Sequence, residues 1–403
     1  MKRAGARAHH NSSQGTLVRA SVARALPQKV LILNVGSSTV KASLYDDKLH
    51  LQWSAEREFS TASSLASIEK EIRDLSPIDL VGHRIVHGGP TLRATTWIDA
   101  DVKAQIDAAA ELAPVHNRNE LAAIQDMERI LGPNVPQAAV FDTAFHATLP
   151  TPAYVYSLPY EWLSKGIRRY GFHGISHQYV SRRAAEILGR DLASLRLISC
   201  HLGNGCSLAA VRGGICIDTT MGFTPLEGLM MGSRSGSIDP GILIHQLRYA
   251  GATAESLDRT LNNESGLKGV SGISSDMREI LAARARGHER ATLAFDIYIH
   301  RLRSEIGAML ASLAGLDALI FTGGIGEHSP EVRAAACEAF AFLGLELDSA
   351  KTDGDIATSK STVRALVIAT QENEEIAREC LRLYARIGFT TFPATSVSRK
   401  CRP

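Results

Sequence analysis

The sequence predicts an α/β protein with two similar halves, and three related patterns predict it. Residues 30–47, VLILNVGSSTVKASLYDD, read as an apolar strand, a polar turn with a glycine, and a second strand of alternating polarity. The same succession returns at residues 197–212, LISCHLGNGCSLAAVR, about 165 residues later, which favours a duplicated unit. A third apolar strand, Ala318–Thr322, runs into a glycine turn that is followed by a helix from Pro330.

Helices are predicted between these strands. Glu120–Leu131 and Met277–Arg286 have amphipathic spacing, and the longest helix, roughly Glu289–Leu313, carries one apolar stripe that predicts a core-facing surface. The members of the stripe are Ala294, Tyr298, Leu302, Ile306, Met309 and Leu313. Strands that alternate with helices indicate sheets covered by helices, with the ligand in a crevice beyond the strand ends.

The composition is that of a globular protein long enough for two domains. The chain has 403 residues, of which 45% are hydrophobic and 21% charged, and its formal net charge is +2. This balanced charge, without a cluster of Lys and Arg among aromatics, argues against a nucleic-acid surface. No apolar run approaches the roughly 20 residues of a membrane helix, so we expect a soluble protein without a membrane partner.

The first 29 residues differ from the rest, because they are basic and the first acidic residue of the chain is Asp46. We treat residues 1–29 as an extension outside the fold and expect it to be disordered. A transit peptide, a native bacterial extension and residues added in cloning all remain open, so we expect a cytoplasmic protein, with a mitochondrial one as the minority alternative. The six cysteines form no C-x-x-C pair, which predicts small buried residues in a reducing compartment.

Glycine turns after strands favour a phosphate ligand, because backbone N–H groups can approach phosphate oxygens where no Cβ intervenes. Three such turns, each with Ser, Thr or Asn, strengthen this interpretation. The sequence contains neither the G-x-x-x-x-G-K-[ST] motif of P-loop proteins nor the motif set of protein kinases. A phosphate-binding fold of another type is therefore expected.

Four charged or ionisable residues lie in or beside apolar segments: Arg84, Asp142, His173 and Arg234. A charge in such a place is costly unless it is paired, so a buried Arg–Asp ion pair is the simplest interpretation of any one of them. His173 and His177 have the spacing of two zinc ligands on a helix. No third ligand accompanies them, however, and Gly174 disfavours a helix that continues through His173.

Eight segments resemble the acetokinase family, which comprises acetate, propionate and butyrate kinases. In the family's order, from about residue 30 to 390, they are NVGSSTVK, GHRIVHGG, VFDTAFH, YGFHGISH, HLGNGCS, MGFTPLEGLMMGSRSGSIDP, SGISSDMR and FTGGIGEHS. The resemblance implies two duplicated α/β domains of the acetate and sugar kinase/Hsp70/actin fold, with the active site in the cleft between them. The implied domains are residues 30–147 plus 377–395, and residues 148–376.

The resemblance also implies the reaction. ATP and acetate would give ADP and acetyl phosphate, reversibly and by direct in-line transfer, with Mg²⁺ (or Mn²⁺ in its place) and with a homodimer as the assembly. Propionate or butyrate as substrate is the close alternative. Pyrophosphate as donor and a non-kinase ATPase of the actin/Hsp70 type are more remote. A carboxylate is already ionised at neutral pH, so the reaction needs positioning and charge neutralisation rather than a strong base.

Site roles follow from the resemblance motif by motif. Arg84 would bind the acetate carboxylate, His173 and Arg234 would stabilise the transferring phosphoryl group, and Asp142 would orient an arginine or the metal shell. The acyl methyl pocket would consist of Val86, Leu112 and Pro225, for which plain core packing is the alternative. Lys41 would face the ATP phosphates. The remaining nucleotide contacts would be His201, Leu202, Gly203, Asn204, Gly205, Asp276, Met277, Arg278, Gly324, Ile325, Gly326, Glu327 and His328.

The metal site would be formed by Asn34 and Glu372, although the sequence departs from the family here. The family ends its metal motif with P-T-N-E-E, whereas residues 369–373 read A-T-Q-E-N. A register without a gap selects Glu372, and a shift by two residues would select Glu374. His328, where an Asn is usual, and a short segment between Ser43 and Gly82 are further departures.

Overall fold

The computed structural model describes residues 26–36, 39–58, 65 and 67–387, and gives no side chains for residues 114 and 115. The first part of the chain forms a six-stranded sheet in the order β3-β2-β1-β4-β6-β5. Its strands are β1 (Val30–Val35), β2 (Thr39–Tyr45), β3 (Leu51–Glu58), β4 (Leu80–Ile85), β5 (Thr96–Trp97) and β6 (Gln137–Phe141). Strands β1, β4 and β6 are mutually parallel, so their carboxyl ends meet at one edge of the sheet.

The second part of the chain repeats this topology, in the order β11-β12-β10-β7-β8-β9. Its strands are β7 (Arg196–Leu202), β8 (Cys206–Arg212), β9 (Ile215–Thr219), β10 (Ala318–Thr322), β11 (Gly354–Asp355) and β12 (Arg364–Val367). Here β7, β10 and β12 are parallel, and β8, β9 and β11 occupy the antiparallel positions of β2, β3 and β5. The predicted duplication of two α/β units is therefore confirmed.

Helices cover the first sheet on both faces. They are α1 (Glu69–Asp74), α2 (Ala100–Ala109), α3 (Pro114–Leu131) and, from the end of the chain, α13 (Glu372–Ile387). Helix α3 begins six residues before the predicted Glu120, because Pro114 occupies the first turn, where a missing N–H costs nothing. On the opposite face, Ile376, Ala377 and Cys380 of α13 pack against Val30 and Ile32.

The position of α13 depends on one glycine. A Cβ at Gly82 of β4 would lie 2.6 Å from Sγ of Cys380, so only glycine allows the helix to approach this closely. The helix is continuous from Glu372 and therefore starts five residues before residue 377, where the sequence suggested that the first domain resumes. Residues 388–395 of that proposed segment lie outside the described residues.

The helices of the second half lie around the second sheet. They are α4 (Thr151–Tyr154), α5 (Gly174–Leu188), α6 (Pro240–Tyr249), α7 (Ala254–Asn263), α8 (Gly266–Ser271), α9 (Met277–Ala285), α10 (Glu289–Leu313), α11 (Gly323–His328) and α12 (Pro330–Glu338). Short 3₁₀ turns occur at Ala144–Thr148, Tyr160–Lys165, Leu192–Ser194 and Ala341–Leu343. Helix α10 has the predicted bounds, and every residue of its predicted stripe is buried. The glycine turn after β10 differs from the prediction, because it forms the short helix α11.

Further predictions concern the extension, the cysteines and membrane helices. Residues 1–25 of the extension lie outside the described residues, whereas the backbone N–H groups of Gln28 and Lys29 donate to Asp79 Oδ2 just before β1 begins. Five cysteines are buried and free, as expected, and Cys401 is not among the described residues. In the described part of the chain, no helix combines the length and the apolar character needed to cross a membrane.

Candidate active site

The first group of predicted residues meets at the carboxyl edge of the first sheet. Asn34 and Arg84 are the next-to-last residues of β1 and β4, and Asp142 directly follows β6. The Arg84 guanidinium donates to Asp142 Oδ2 through Nη2 at 2.5 Å and Nε at 3.1 Å. The Asn34 amide donates to Glu372 Oε2 at 3.0 Å, and Nη1 of Arg84 reaches Asn34 Oδ1 at 3.4 Å. Thus Arg84 and Asp142 do form the simple buried ion pair, inside a larger polar cluster.

This cluster is rich in carboxyl groups. Burial raises the pKa of Asp142, Arg84 opposes the rise, and the negative charge of Glu372 adds to it. Burial also acts against ionisation of Glu372, but Arg84, His201 and the Asn34 amide together lower the pKa of that carboxyl. Oδ1 of Asp142 is buried and has no hydrogen-bond partner among the described residues. In the described structure, this polar cluster therefore holds the ionised carboxylate of Glu372 and the unpaired Oδ1 of Asp142 beside the guanidinium of Arg84.

The two candidate metal-associated glutamates point to different neighbours. Glu372 lies beside Asn34, as described above. Glu374 instead forms ion pairs with Arg378 at 2.8 Å and with Arg182 of α5 at 3.4 Å. Of the two sequence registers, only the one without a gap brings a glutamate to the polar cluster.

His173 enters the site from the second half of the chain. It is the residue before α5 and adopts a left-handed backbone conformation, with φ 55° and ψ 25°. The backbone N–H of Gly174 donates to the carbonyl of Asp142 at 2.9 Å, and a Cβ at Gly174 would lie 2.1 Å from that oxygen. The glycine thus breaks the helix at the predicted position and joins the His173 segment to the strand end that carries Asp142.

The rings of His173 and His177 are linked through a serine. Ser207 Oγ lies 2.9 Å from Nδ1 of His173 and 2.8 Å from Nε2 of His177, while Ser199 Oγ lies 2.9 Å from Nδ1 of His177. Nδ1 of His173 and both ring nitrogens of His177 therefore contact a serine hydroxyl. His177 is fully buried, and Ser207 lies between its ring and that of His173.

A third imidazole, His201 at the end of β7, stacks on His173. Its Nδ1 lies 2.8 Å from Ser176 Oγ, and Ser176 in turn receives the hydroxyl of Thr370 at 3.0 Å. Burial, the neighbouring imidazoles and the two arginines hold the pKa of His173 well below its usual range. This lowered pKa favours the neutral imidazole of His173 at pH 7.

Arg234 lies next to His173, on the loop that follows the Met-rich segment. A Cβ at Gly205 would be 3.4 Å from Nη1 of Arg234 and 3.5 Å from Nε2 of His173, so both groups face the same glycine. Nη1 of Arg234 donates to the carbonyl of Pro225 at 3.0 Å. Among the described residues, no carboxylate lies within ion-pair distance of this half-buried guanidinium. An anion bound here would supply the missing countercharge.

The predicted nucleotide residues surround a cavity of about 450 Å³ in the second half. Its lining includes eight of them: Gly203, Asn204, Asp276, Met277, Arg278, Gly324, Ile325 and His328. No heavy atom of the described residues comes within 4 Å of a Cβ built on Gly324, so the backbone of α11 is open to the cavity. This size and the glycine-rich wall suit a nucleotide.

Other predicted nucleotide residues do not line this cavity. Leu202 and Gly326 are buried beneath it, and Oε1 of Glu327 accepts from the backbone N–H groups of Gly323 and Thr370. Lys41 is exposed and its Nζ pairs with Glu56 of β3 at 3.4 Å. His201 and Gly205 lie on the side of His173.

The predicted acyl pocket residues lie in different environments. Val86 is buried in a cluster that contains Phe172, and Pro225 is bonded through its carbonyl to Arg234. Leu112 is half-buried at the end of the turn before α3. Val86 thus lies two residues after Arg84 in the chain, and Pro225 contacts Arg234 through its carbonyl.

Sequence reasoning missed four side chains of the site: Ser207, Ser176, His116 and Glu120. His116 lies within electrostatic reach of both Arg84 and Arg234, and burial followed by these two charges lowers its pKa to about 4. Glu120 contributes a further carboxyl, which accepts from the backbone N–H of Val86 at 3.0 Å. Serines in glycine-rich turns and polar residues within an amphipathic helix are too common in sequences to be singled out.

Comparison with known proteins identifies the family of the chain. The model of the acetokinase family matches residues 52–378. Acetate kinase from Gloeobacter violaceus is 55% identical over 399 residues, which cover 87% of this chain and 98% of the relative. The crystal structure of Porphyromonas gingivalis acetate kinase has a TM-score of 0.81 and 38% identity, covering 88% of this chain and 99% of that one. A propionate kinase from Francisella tularensis has the same TM-score and coverage, with 36% identity.

Both kinds of comparison span most of the chain. The family match exceeds half of the chain, and the relatives are covered almost completely. The chain therefore belongs to the acetokinase family, the kinases that transfer a phosphoryl group to a carboxylate.

Proposed function

We propose that this enzyme transfers the γ-phosphoryl group of ATP to acetate, giving acetyl phosphate and ADP, by direct in-line attack of the carboxylate. The observation that carries the proposal is the pair of guanidiniums at one site. Arg84 lies at the carboxyl edge of the first sheet, Arg234 lies across from it, and His116 is close to both. Acetate and the γ-phosphate of ATP are both anions and repel each other, so a positively charged guanidinium beside each of them favours their approach.

Arg84 binds the acetate carboxylate in this proposal. Its Nε and Nη2 are held by Asp142, which fixes the plane of the guanidinium and leaves Nη1 with only a 3.4 Å contact to Asn34. Asp142 then acts by orienting Arg84, and no proton acceptor is required because acetate arrives ionised. Val86 and Pro225 flank the methyl group.

The phosphoryl group lies between acetate and ADP, against Arg234 and His173. Arg234 lacks a carboxylate partner among the described residues and is free to neutralise the equatorial oxygens. His173 is neutral, and a Ser207 hydroxyl that donates to its Nδ1 leaves the proton on Nε2, which faces Gly205 and Arg234. The neutral ring contributes a hydrogen bond without competing with Arg234 for anions.

The nucleotide occupies the cavity of about 450 Å³, with its phosphates directed along the glycine turn toward His201 and Arg234. Backbone N–H groups near Gly203 and Gly324 contact phosphate oxygens. Lys41, which has Glu56 as its partner, joins the phosphates only by leaving that exposed ion pair.

Asn34 and Glu372 fit a divalent cation, and we propose Mg²⁺, with Mn²⁺ able to replace it. Amide and carboxylate oxygens are the ligands that hard cations prefer, Glu372 is ionised, and the nearby Asp142 Oδ1 has no other partner in the described structure. When bound, the ion neutralises charge on the phosphates. Asn34 and Glu372 are already hydrogen-bonded to one another, so the site is pre-arranged.

The reaction is tested directly by trapping acetyl phosphate as the hydroxamate. Purified enzyme with ATP, Mg²⁺ and acetate is expected to form it, and no product with any short fatty acid would overturn the proposal. Propionate is the alternative substrate, because the structure of a propionate kinase matches this chain with the same TM-score, 0.81, as that of an acetate kinase. Since one methylene discriminates by only about 1–3 kcal/mol, the ratio of kcat/KM for acetate and propionate is the deciding measurement.

We also propose a homodimer in the cytoplasm. Helix α6 has no buried residue, and its apolar side chains Ile242, Ile244, Leu247 and Tyr249 are each about half exposed or more. A helix with so much exposed apolar surface is typical of an interface between subunits. The five buried free thiols suit a reducing compartment.

A further inference from the structure

Glu120 is a carboxyl group at the active site that none of the roles above uses. It lies on α3 and only 1% of its surface is exposed. Oε2 accepts from the backbone N–H of Val86, two residues after Arg84, at 3.0 Å. Oε1 is also buried and has no hydrogen-bond partner among the described residues. Oε2 thus holds the backbone just after β4, whereas no described residue hydrogen-bonds to Oε1.

The charges around Glu120 are unequal in number. Arg84 interacts electrostatically with three carboxyl groups, those of Asp142, Glu372 and Glu120. If all three were ionised and the cation proposed at Glu372 balanced that carboxylate, Asp142 and Glu120 would still share one guanidinium, and a carboxylate substrate would add a further negative charge. Like charges at such separations are strongly unfavourable in a buried site.

The other ionisable groups near Glu120 do not correct this imbalance. His116 lies one turn earlier on α3, and His87 follows β4 with its backbone bonded to Asn117. Burial lowers the pKa of both imidazoles to about 4, so neither carries a positive charge at neutral pH. Arg234 is on the opposite side of the site and serves the phosphoryl group. A proton on one carboxyl is the remaining way to reduce the negative charge.

Glu120 is the carboxyl best suited to keep that proton. Burial raises its pKa to about 8, against the lowering effects of Arg84 and the Val86 N–H, while Asp142 contributes a further rise. Glu372 has a lowered pKa, and Asp142 is bound directly to Arg84. No described residue donates a hydrogen bond to Oε1, so the ionised form of Glu120 lacks a contact that would stabilise its negative charge.

We infer that Glu120 is a positioning residue whose proton allows the carboxylate substrate to bind at Arg84. In the protonated form, Glu120 accepts a hydrogen bond from the backbone N–H of Val86 and is uncharged, so Arg84 interacts with Asp142 and the substrate carboxylate. When the proton is lost to solvent, the new carboxylate competes for Arg84 and repels the incoming anion. The inference rests on the proposed role of Arg84 as the site of the substrate carboxylate.

The test is the pH dependence of the KM for acetate between pH 6.5 and 9.5. If only the protonated form binds acetate, this KM rises about tenfold between pH 7 and pH 9 in the wild type, while the KM for ATP changes little. Glu120→Gln keeps an acceptor for Val86 but cannot ionise, so its acetate KM is expected to stay constant. Glu128→Gln removes an exposed carboxylate of the same helix, which pairs with Lys103, and should follow the wild type.

Two results would overturn the inference: an acetate KM that stays constant in the wild type, or an equal rise in Glu120→Gln. If Glu120→Gln does not fold, Glu120→Ala provides the second non-ionising variant, and the same flat profile is required of it. Failure of the proposed reaction would be recognised separately, because the wild type would then make no acetyl phosphate at pH 7.

Discussion

The imidazole of His173 stacks on that of His201, with ring centroids 4.2 Å apart and planes inclined by 23°. Each ring is also held by a serine hydroxyl, Ser207 for His173 and Ser176 for His201. Burial keeps the pKa of both imidazoles below the usual range; the neighbouring rings lower that of His173 further, whereas Glu372 partly opposes the effect at His201. Two neutral rings can stack this closely, and the Ser207 hydroxyl contacts Nδ1 of His173.

This arrangement predicts a specific effect of Ser207→Ala. The variant should lower kcat by roughly ten- to a hundredfold, with little change in either KM, because the lost hydrogen bond, of about 1–3 kcal/mol, orients a group needed in the transition state. Ser199→Ala is the matched control. It also removes a hydroxyl from His177 but does not touch His173, and it should cost clearly less. Equal losses in both variants would contradict a role for Ser207 in orienting His173.

The two active-site arginines should differ in which kinetic constant they control. Arg84→Ala is expected to raise the KM for acetate at least tenfold, because the positively charged partner of the carboxylate is lost. Arg234→Ala should instead lower kcat by about a hundredfold or more with a smaller effect on that KM, because its charge serves the transferring group. Steady-state kinetics with acetate varied at saturating ATP measures both. A purely kcat effect of Arg84→Ala would show that the acetate carboxylate binds elsewhere.

The two neighbouring glutamates should respond differently to metal. Glu372→Gln is expected to raise the Mg²⁺ concentration needed for half-maximal activity about tenfold or more, because the ionised ligand is lost. Glu374→Gln removes the same charge two residues away, from a group that pairs with Arg378 and Arg182, and should leave the Mg²⁺ requirement as in the wild type. Mg²⁺ titrations of activity distinguish them. If Glu374→Gln raised the Mg²⁺ requirement and Glu372→Gln did not, the register shifted by two residues, which selects Glu374, would be favoured.

The buried histidines predict that stability falls in acid. Burial lowers the pKa of His83, His87 and His146 to about 4, so the folded protein binds fewer protons than the unfolded chain between that value and the ordinary pKa of 6.5. Their contribution to the free energy of unfolding is complete above pH 6.5. It is lost as the pH falls toward 4, by up to about 3 kcal/mol for each residue. Denaturant unfolding from pH 7 to pH 5 measures the loss.

A variant pair assigns part of that loss to one residue. His83→Gln can still donate to Oε1 of Gln137, which lies 2.6 Å from His83 Nε2, but it does not titrate. Its free energy of unfolding should therefore fall less steeply with acid than that of the wild type. His300→Gln, at an exposed position of α10, should keep the wild-type slope. A wild-type slope in His83→Gln would show that this residue does not take up a proton on unfolding.

The assembly can be tested through α6. Leu247→Glu introduces a charge on the exposed apolar helix and is expected to convert a dimer into monomers without lowering the unfolding temperature of the subunit by more than a few degrees. Leu51→Glu adds the same charge at a similarly exposed position of β3. Light scattering after gel filtration should show a dimer for the wild type and for Leu51→Glu. A monomeric wild type would contradict the proposal.

Most of the elements could be predicted because their patterns are local. The first apolar strand and the stripe along Glu289–Leu313 repeat at the period of their own secondary structure; the strand begins at the predicted Val30, and the helix has its predicted bounds. The start of α3 and the helical turn of α11 were missed. A proline in the first turn and glycines at a helix start look the same in a loop as in a helix.

The sequence by itself determined the α/β class, the duplication and the family, and it predicted the main active-site residues, because strand periods, glycine turns and long motifs are properties of contiguous residues. Tertiary structure decided what depends on contacts between distant segments. It alone brought Glu372 to Asn34, 338 positions earlier, and Ser207 between His173 and His177. It also buried Glu120 beside Arg84, since the environment that sets the proton affinity of a carboxyl is assembled only when the chain folds.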